Sequence, residues 1–319
     1  MTTQQELIDT AKRITSYVHQ TPVLTSESID EIFGAGIHLK CENFQKMGAF
    51  KMRGATNAIL SLSARERELG VVTHSSGNFA QAVALAANKT GTKATIVMPS
   101  SAPEIKKKAV LGYGATVIDC APTQQAREQA AAKVQEETGS VFLHPSNQIE
   151  VINGNATAAM ELLGQVDNLD AIFTPVGGGG LLAGTALAAF RFRKQVSILG
   201  GEPEGADDAF QSLIAGQIVP VENPKTIADG LRTSLGDVNF PIIKELVEAI
   251  YLVSEQEIID AMRLIWERMK IIIEPSSAVP FAALYKHRDK FRNKNIGIIV
   301  SGGNVDLGDL PWKIENVTQ

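Results

Sequence analysis

Lys51 stands in the stretch Gly48-Ala-Phe-Lys-Met-Arg-Gly-Ala55. Gly48, Ala49, Gly54 and Ala55 carry little or no side chain, so another backbone or a ligand can come close. Phe50 beside the lysine offers a flat apolar face. A primary amine in such surroundings suits a Schiff base with an aromatic aldehyde cofactor. For this stretch by itself, an ordinary surface lysine is the plainer alternative.

Four further clusters change that weight. Pro175-Val-Gly-Gly-Gly-Gly-Leu-Leu-Ala-Gly184 follows a strand-like run and opens a helix-like one. Its successive glycines expose backbone N–H groups at a helix N-terminus, which makes a phosphate cradle. A tight turn with close strand–helix packing is the plain alternative. Gly178-x-Gly180-x-x-Ala183 also satisfies a dinucleotide fingerprint, with Glu202 near the place of a ribose-binding acid. A nicotinamide enzyme is therefore a competing reading, although it leaves Lys51 and the next cluster without work.

His74-Ser-Ser-Gly-Asn-Phe-Ala-Gln81 joins another strand-like run to a helix. Ser75, Ser76 and Asn78 crowd polar groups around a helix start, a seat for a substrate carboxylate. Simple N-capping would use only one of them. Glu202-Pro-Glu-Gly-Ala-Asp-Asp208 gathers carboxylates at a turn, as a solvated turn or as oxygen ligands for Mg²⁺ or Ca²⁺. Ser301-Gly-Gly-Asn304 ends the last strand-like run, at the end where α/β sheets hold ligands. The histidines His19, His38, His74, His144 and His287 show no metal spacing, and Trp266 and Met269 read as helix core.

The elements that must position these groups alternate along the chain. Apolar runs at 37–42, 70–75, 94–99, 116–120, 141–144, 171–176, 198–202, 250–253 and 296–301 predict strands. Segments at 55–62, 80–89, 105–111, 124–137 and 156–163 predict helices. This rhythm implies an α/β fold with mostly parallel sheets. With no linker or repeat visible, two domains would be interleaved: 1–65 with 148–319 as the larger, and 66–147 as a smaller, substrate-side domain. A cleft between them suits a small molecule.

Composition sets outer bounds. The 319 residues are 44% hydrophobic and 20% charged, with net charge −5. That profile is globular and carries no basic footprint for nucleic acid. Two cysteines, Cys41 and Cys120, build no disulfide framework. No secretory signal or membrane-spanning apolar run is visible, so the expectation is a cytoplasmic protein.

Together these residues resemble the fold-type II pyridoxal-phosphate enzymes, and within them the serine racemase and threonine dehydratase group, nearest the eukaryotic-type serine racemases. The resemblance runs from Thr21-Pro-Val-Leu-Thr25 to Ser301-Gly-Gly-Asn-Val-Asp-Leu307. It includes Cys41-Glu-Asn-Phe-Gln-Lys46, Thr226-Ile-Ala-Asp-Gly230, and Trp266-Glu-Arg-Met-Lys270 followed by Glu274-Pro275.

The resemblance implies roles at matching positions. Lys51 would bind pyridoxal 5′-phosphate covalently and act as base on one face of the substrate, with Ser76 on the other. Ser75 and Asn78 would hold the substrate carboxylate and the cofactor's ring oxygen. Gly177, Gly178, Gly179, Gly180 and Leu181 would bind the phosphate. Phe50 and Gly230 would pack on the ring, and Ser301 would meet its pyridine nitrogen. Glu202, Asp208 and the carbonyl of Ala206 would hold a divalent cation. Arg127 and Thr233 would face the distal end of a small amino-acid substrate.

The implied enzyme is a homodimer that dehydrates L-serine, L-threonine or a 3-hydroxyaspartate and racemises serine alongside. Racemisation as the main activity is the variant reading within the group, and a non-catalytic amino-acid-binding module lies outside it. Phe79 and Ala80 depart from a more usual histidine and glycine, and Ala49 from a serine. Glu27 and Met47 replace small hydroxyl residues at the group's nucleotide site, although Ser26, Lys46 and Tyr113 remain. Tight ATP activation is therefore not expected, nor is a C-terminal regulatory domain.

Overall fold

A computed structural model describes residues 1–312. Residues 313–319, the end of the larger expected domain, lie outside the described residues. In chain order the strands are β1 (Val23–Leu24), β2 (Gly36–Cys41), β3 (Val71–His74), β4 (Ala94–Pro99), β5 (Thr116–Cys120), β6 (Val141–Phe142), β7 (Ala171–Pro175), β8 (Ser197–Pro203), β9 (Ala249–Val253) and β10 (Asn295–Val300). They form a six-stranded sheet, β1-β2-β10-β7-β8-β9, and a four-stranded sheet, β5-β4-β3-β6. Every pairing is parallel except that of β1 with β2. The α/β architecture with mostly parallel sheets is as the sequence implies.

Parallel pairing needs long crossovers, and helices supply them on both sheet faces. Strand alternation then decides which side chain joins which core. Ile172 of β7 and Ile299 of β10 pack with the helices Ile149–Gln165 and Gly180–Phe192. Phe173, Ile298 and Val300 pack on the opposite face with Glu255–Met269 and Pro275–Lys286. β7 and most of β10 are buried on both faces, which explains their continuous apolar runs. Trp266 and Met269 are partly buried against that second face.

β1 and several helices, among them Gln4–Ile14 and Pro275–Lys286, were not expected; the other differences lie at ends. The helix expected at 55–62 begins earlier, as Lys51–Leu60, so Lys51 opens it. The segment 156–163 is the middle of a longer helix, Ile149–Gln165. The strand expected at 141–144 stops at Phe142. His144 leaves it because its Nδ1 accepts from the N–H groups of Ser146 and Asn147, at 3.1 and 2.8 Å, and turns the chain. Among the described residues no helix is long and apolar enough to cross a membrane.

The helix that starts at Lys51 is pinned by a buried ion network. Arg53 is fully buried; its Nε meets Glu42 Oε2 and its Nη1 meets Glu161 Oε1, each at 2.7 Å. Lys40 Nζ also reaches Glu161, at 2.6 Å, and donates to the Thr21 carbonyl at 2.7 Å. Burial pushes the Glu42 carboxyl up, but Arg53 outweighs it and holds Glu42 below the ordinary carboxylate value. Arg53→Ala would strand Glu42 as an unpaired buried charge. The expected loss is about 3–5 kcal/mol, read from urea unfolding. A loss below about 1 kcal/mol would mean that water relieves the stranded carboxylate.

Candidate active site

The chemistry-bearing loops leave the carboxyl ends of parallel strands, where open α/β sheets bind ligands. β3 leads into Ser75-Ser-Gly-Asn78, β7 into loop 177–180, and β10 into Ser301. The Lys51 segment is tied to the last of these. Phe50 N donates to the Ser301 carbonyl at 2.9 Å, Gly303 N to the Gly48 carbonyl at 2.9 Å, and Ala49 bridges Gly302.

Lys51 Nζ donates to the Pro145 carbonyl at 2.7 Å. It lies 5.0 Å from the centre of the Phe50 ring and 5.6 Å from that of Phe79. Desolvation pushes the amine down to about 8, with the Glu274 charge working the other way. Phe79, where an imidazole was the commoner expectation, therefore walls the amine with an aromatic face and no titrating group. An amine lowered toward neutrality is the form able to act as nucleophile or base.

Loop 177–180 is shaped by what a side chain would meet. A Cβ on Gly177 would lie 2.8 Å from Leu231 Cα and 2.9 Å from the Gly230 carbonyl oxygen. One on Gly180 would lie 2.9 Å from Ser146 Cα, and one on Gly178 3.1 Å from Thr233 Oγ1. Gly179 has φ +77°, a conformation that favours glycine. The first hydrogen bond of the following helix is Ala183 N to the Gly179 carbonyl, 2.9 Å. The N–H groups of Gly180, Leu181 and Leu182 precede it and are left for a ligand. A phosphate fits that donor set. Gly230 and Thr233 lie against the same loop, and Gly230 N donates to Ser276 Oγ at 3.2 Å.

Around β3, none of the three polar side chains caps the helix Asn78–Thr90; its cap residue is Gly77, with no side-chain bond. Ser75 Oγ accepts from Gly77 N at 3.3 Å. Ser76 is half-buried, and among the described residues its hydroxyl has no hydrogen-bond partner. Asn78 Nδ2 donates to both oxygens of Glu274, at 3.0 and 3.1 Å.

Among the described residues Arg127, on the helix Gln124–Thr138, makes no ion pair with Glu128 or Glu136, and its buried Nε has no partner. Burial, then the Arg127 charge, pushes His74 down. Burial, with His74 and Lys51 adding to it, pushes His144 down to about 4. The imidazole therefore stays neutral, and its Nδ1 accepts the two backbone N–H groups.

Glu202 stands near the end of β8, and Asp208 opens the next helix. Glu202 accepts from Ala209 N and Phe210 N at 3.0 and 2.8 Å, so it also serves the start of the helix Asp208–Ala215. Asp208 Oδ2 accepts from Leu235 N at 3.0 Å. Burial pushes Glu202 up to about 9, with Asp208 adding to it, and Asp208 up to about 7. Buried Ala206 ends the intervening turn. Among the described residues no group of three or more His, Cys, Asp or Glu is arranged for a metal.

A family model described as "Pyridoxal-phosphate dependent enzyme" matches residues 14–302. The chain is 49% identical to a serine racemase of Dictyostelium discoideum over 312 residues, covering 97% of this chain and 96% of that one. It is 46% identical to a β-hydroxyaspartate dehydratase of Paracoccus denitrificans over 310 residues, 97% and 98% of the two chains. The chain belongs to the fold-type II pyridoxal-phosphate enzymes of the serine racemase and dehydratase family. The crystal structure of the Dictyostelium serine racemase superposes with a TM-score of 0.92 at 50% identity, over 96% of this chain and 99% of that one.

The nicotinamide reading of loop 177–180 falls with that membership. Glu202 is also fully buried and faces the start of the helix Asp208–Ala215. Sequence reasoning passed over several residues of this pyridoxal-phosphate enzyme. Asn239 Nδ2 donates to the Gly178 carbonyl at 2.8 Å and to that of Ser146 at 3.3 Å. Ser277 Oγ lies 3.0 Å from Ser301 Oγ and donates to the Gly302 carbonyl at 2.7 Å. Only the Glu274-Pro275 motif flagged any of this, and it named no partner.

The lowered amine can be tested directly. In cofactor-free protein, acylation of Lys51 should rise with a midpoint at pH about 8, well below the bulk of the lysines. Competitive labelling with peptide mass analysis reads it; a midpoint near the ordinary lysine value would mean that the pocket is wet.

Proposed function

We propose that this enzyme dehydrates small 3-hydroxy amino acids, L-serine, L-threonine or a 3-hydroxyaspartate, to 2-oxo acids and ammonia, and racemises serine alongside. We also propose a cytoplasmic homodimer, with 1–65 and 148–319 as the cofactor domain and 66–147 as the substrate-side domain. The observation that carries the reading is the desolvated Lys51 amine, 5.0 and 5.6 Å from two aromatic ring centres and lowered to about 8.

Lys51 would hold pyridoxal phosphate covalently, and Phe50 and Gly230 would flank its ring. Gly177 to Gly180 and Leu181 would hold its phosphate, Asn78 its ring oxygen and Ser301 its pyridine nitrogen. When bound, the cofactor draws electron density from the substrate Cα, and a neutral serine at its nitrogen keeps that pull moderate, which favours prompt loss of a β-hydroxyl. Ser75 and the helix start behind it would receive the substrate carboxylate. Lys51, as a neutral amine, would take the Cα proton on one face. Ser76, whose hydroxyl is unengaged, would return a proton on the other, giving the mirror isomer. Phe79 excludes water from the amine. Arg127, with Thr233, would receive a second carboxylate at the distal end, because a guanidinium fork matches that group.

A panel of 3-hydroxy amino acids, read by chiral product and 2-oxo acid assays, tests this. Lys51→Ala should abolish both reactions. Ser76→Ala should suppress racemisation far more than elimination from the L-isomer. Arg127→Ala should cost a 3-hydroxyaspartate about ten- to a hundred-fold in kcat/KM relative to serine, one charge-assisted contact. Equal loss of both reactions in Ser76→Ala would make that residue structural. Equal loss on both substrates in Arg127→Ala would remove its selectivity role.

Glu202, Asp208 and the Ala206 carbonyl would bind Mg²⁺ or Ca²⁺, hard cations suited to oxygen ligands. Two buried carboxyls held above their ordinary values of 4.5 and 3.8 mark a place short of positive charge. Their contribution to stability is full below about pH 4. It is lost as pH rises through about 7 for Asp208 and about 9 for Glu202. A cation replaces those protons. Added Mg²⁺ or Ca²⁺ should therefore raise Tm, more so at alkaline than at acid pH, and Glu202→Ala with Asp208→Ala should erase the gain. A gain that survives both substitutions would assign the cluster to capping the helix alone.

A further inference from the structure

Asn239 is fully buried, and its side-chain amide bonds to three backbone groups. Its Nδ2 donates to the Gly178 carbonyl at 2.8 Å and to the Ser146 carbonyl at 3.3 Å. Its Oδ1 accepts from Gly236 N at 3.1 Å. Two carbonyls and one N–H cannot exchange roles, so the amide has one orientation and both of its hydrogens are engaged. The residue stands at the N-cap of the helix Phe240–Leu246, and that helix start is itself clasped. Asn147 Oδ1 accepts from Val238 N and Asn239 N, at 2.8 and 3.3 Å, and Asn147 Nδ2 donates to Asp237 at 2.7 Å. Asn239 thus reaches the glycine loop from a braced backbone.

What it grips there is a pliant joint. Gly178 and Gly179 both lack a side chain, so the peptide between them can turn over at little steric cost. That peptide is trans, so the Gly178 carbonyl and the Gly179 N–H point in opposite directions. With its carbonyl drawn to Asn239, the peptide turns its N–H away from Asn239. Among the described residues the Gly179 N–H has no acceptor. The next three N–H groups, of Gly180, Leu181 and Leu182, precede the first helical bond. No side chain within the loop could supply the same restraint. A Cβ on Gly179 would lie 2.5 Å from Leu235 Cδ2 and 2.9 Å from Asn239 Oδ1.

We infer that Asn239 is a positioning residue for an anion at loop 177–180: by holding the Gly178 carbonyl back, it leaves the Gly179 N–H to join the donors of the helix start. The inference rests on the reading of that loop as the seat of the cofactor's phosphate. Were the peptide to turn over, a carbonyl oxygen would face the phosphate where an N–H should, and repulsion would replace attraction. The effect belongs to the phosphate end. The turn that carries Pro145, partner of the Lys51 amine, keeps its own ties, because His144 Nδ1 accepts from Ser146 N and Asn147 N at 3.1 and 2.8 Å. Loss of the Asn239 amide should therefore be felt by a phosphorylated ligand and not by the aldehyde that meets Lys51.

The test compares pyridoxal 5′-phosphate with pyridoxal, the same aldehyde without the phosphate. Affinities of the full chain, resolved from its cofactor, are read by visible absorbance in wild type and Asn239→Leu. Leucine keeps the size of asparagine and removes both donors. Asn239→Leu should bind pyridoxal 5′-phosphate about tenfold more weakly, the loss of one hydrogen bond, and pyridoxal within about twofold of wild type. An equal or larger loss for pyridoxal, or no loss for either ligand, overturns the inference. A wild type that binds the two ligands equally well removes the phosphate reading of loop 177–180 and the inference with it. If Asn239→Leu does not fold, amide hydrogen exchange of the wild-type holoenzyme decides. The Gly179 N–H should be protected there, and should lose that protection together with the Gly180 N–H when the cofactor is removed. Free exchange at Gly179 beside a protected Gly180 overturns the inference and leaves the phosphate reading intact.

Discussion

Arg53 cannot be buried unless its charge is answered, and that requirement organises the ground beneath the active site. Its guanidinium is met by Glu42 after β2 and by Glu161 on a crossover helix, with Lys40 sharing Glu161. Two residues earlier in the same helix stands Lys51. The helix that opens at Lys51 is thus pinned by a buried ion network two residues on. Such networks are weak sources of net stability, since desolvation offsets most of the attraction. What they impose is geometry, because every misalignment leaves a buried charge unpaired.

Above that base the site is made by desolvation. Phe50 and Phe79 lie over the Lys51 amine, which donates to a peptide carbonyl. Neighbouring groups respond to the same low dielectric in opposite directions. His144 and Lys51 are driven toward their neutral forms, and so is Glu274. A pocket that pushes cations down and carboxyls up favours proton transfer between groups whose ordinary values lie far apart. Burial likewise pushes the Glu202 and Asp208 carboxyls up.

Small residues do separate work. In loop 177–180 the glycines allow Ser146, Leu231 and Thr233 to press against the backbone. Segments far apart in the chain thereby meet at one loop. Asn239 then ties Gly178 to Ser146 through a single side-chain amide. The left-handed turn at Met47 and Gly48 lies on the lysine side, where the Met47 carbonyl accepts from Asn304 Nδ2.

The α/β class and the place of most strands were legible in the sequence, because buried parallel strands must be continuously apolar and their crossovers must be amphipathic. The glycine loop, Lys51 and the Ser-Ser-Gly-Asn segment were legible too, since each needs a particular residue type at a strand-to-helix junction. Strand ends were less so: Phe142 and His144 look alike as extended apolar sequence until a side-chain nitrogen captures the turn. Asn239 and Ser277 were invisible as site residues, and Glu274 stood in a motif that named no partner. A lone Asn, Ser or Glu carries no periodic signal, and its meaning lies in a partner 24 to 196 positions away. The sequence by itself determined which backbone could form and which groups were available for chemistry. Only the tertiary structure decided their ionisation and hydrogen-bond direction, because both depend on the dielectric and the partners that packing brings.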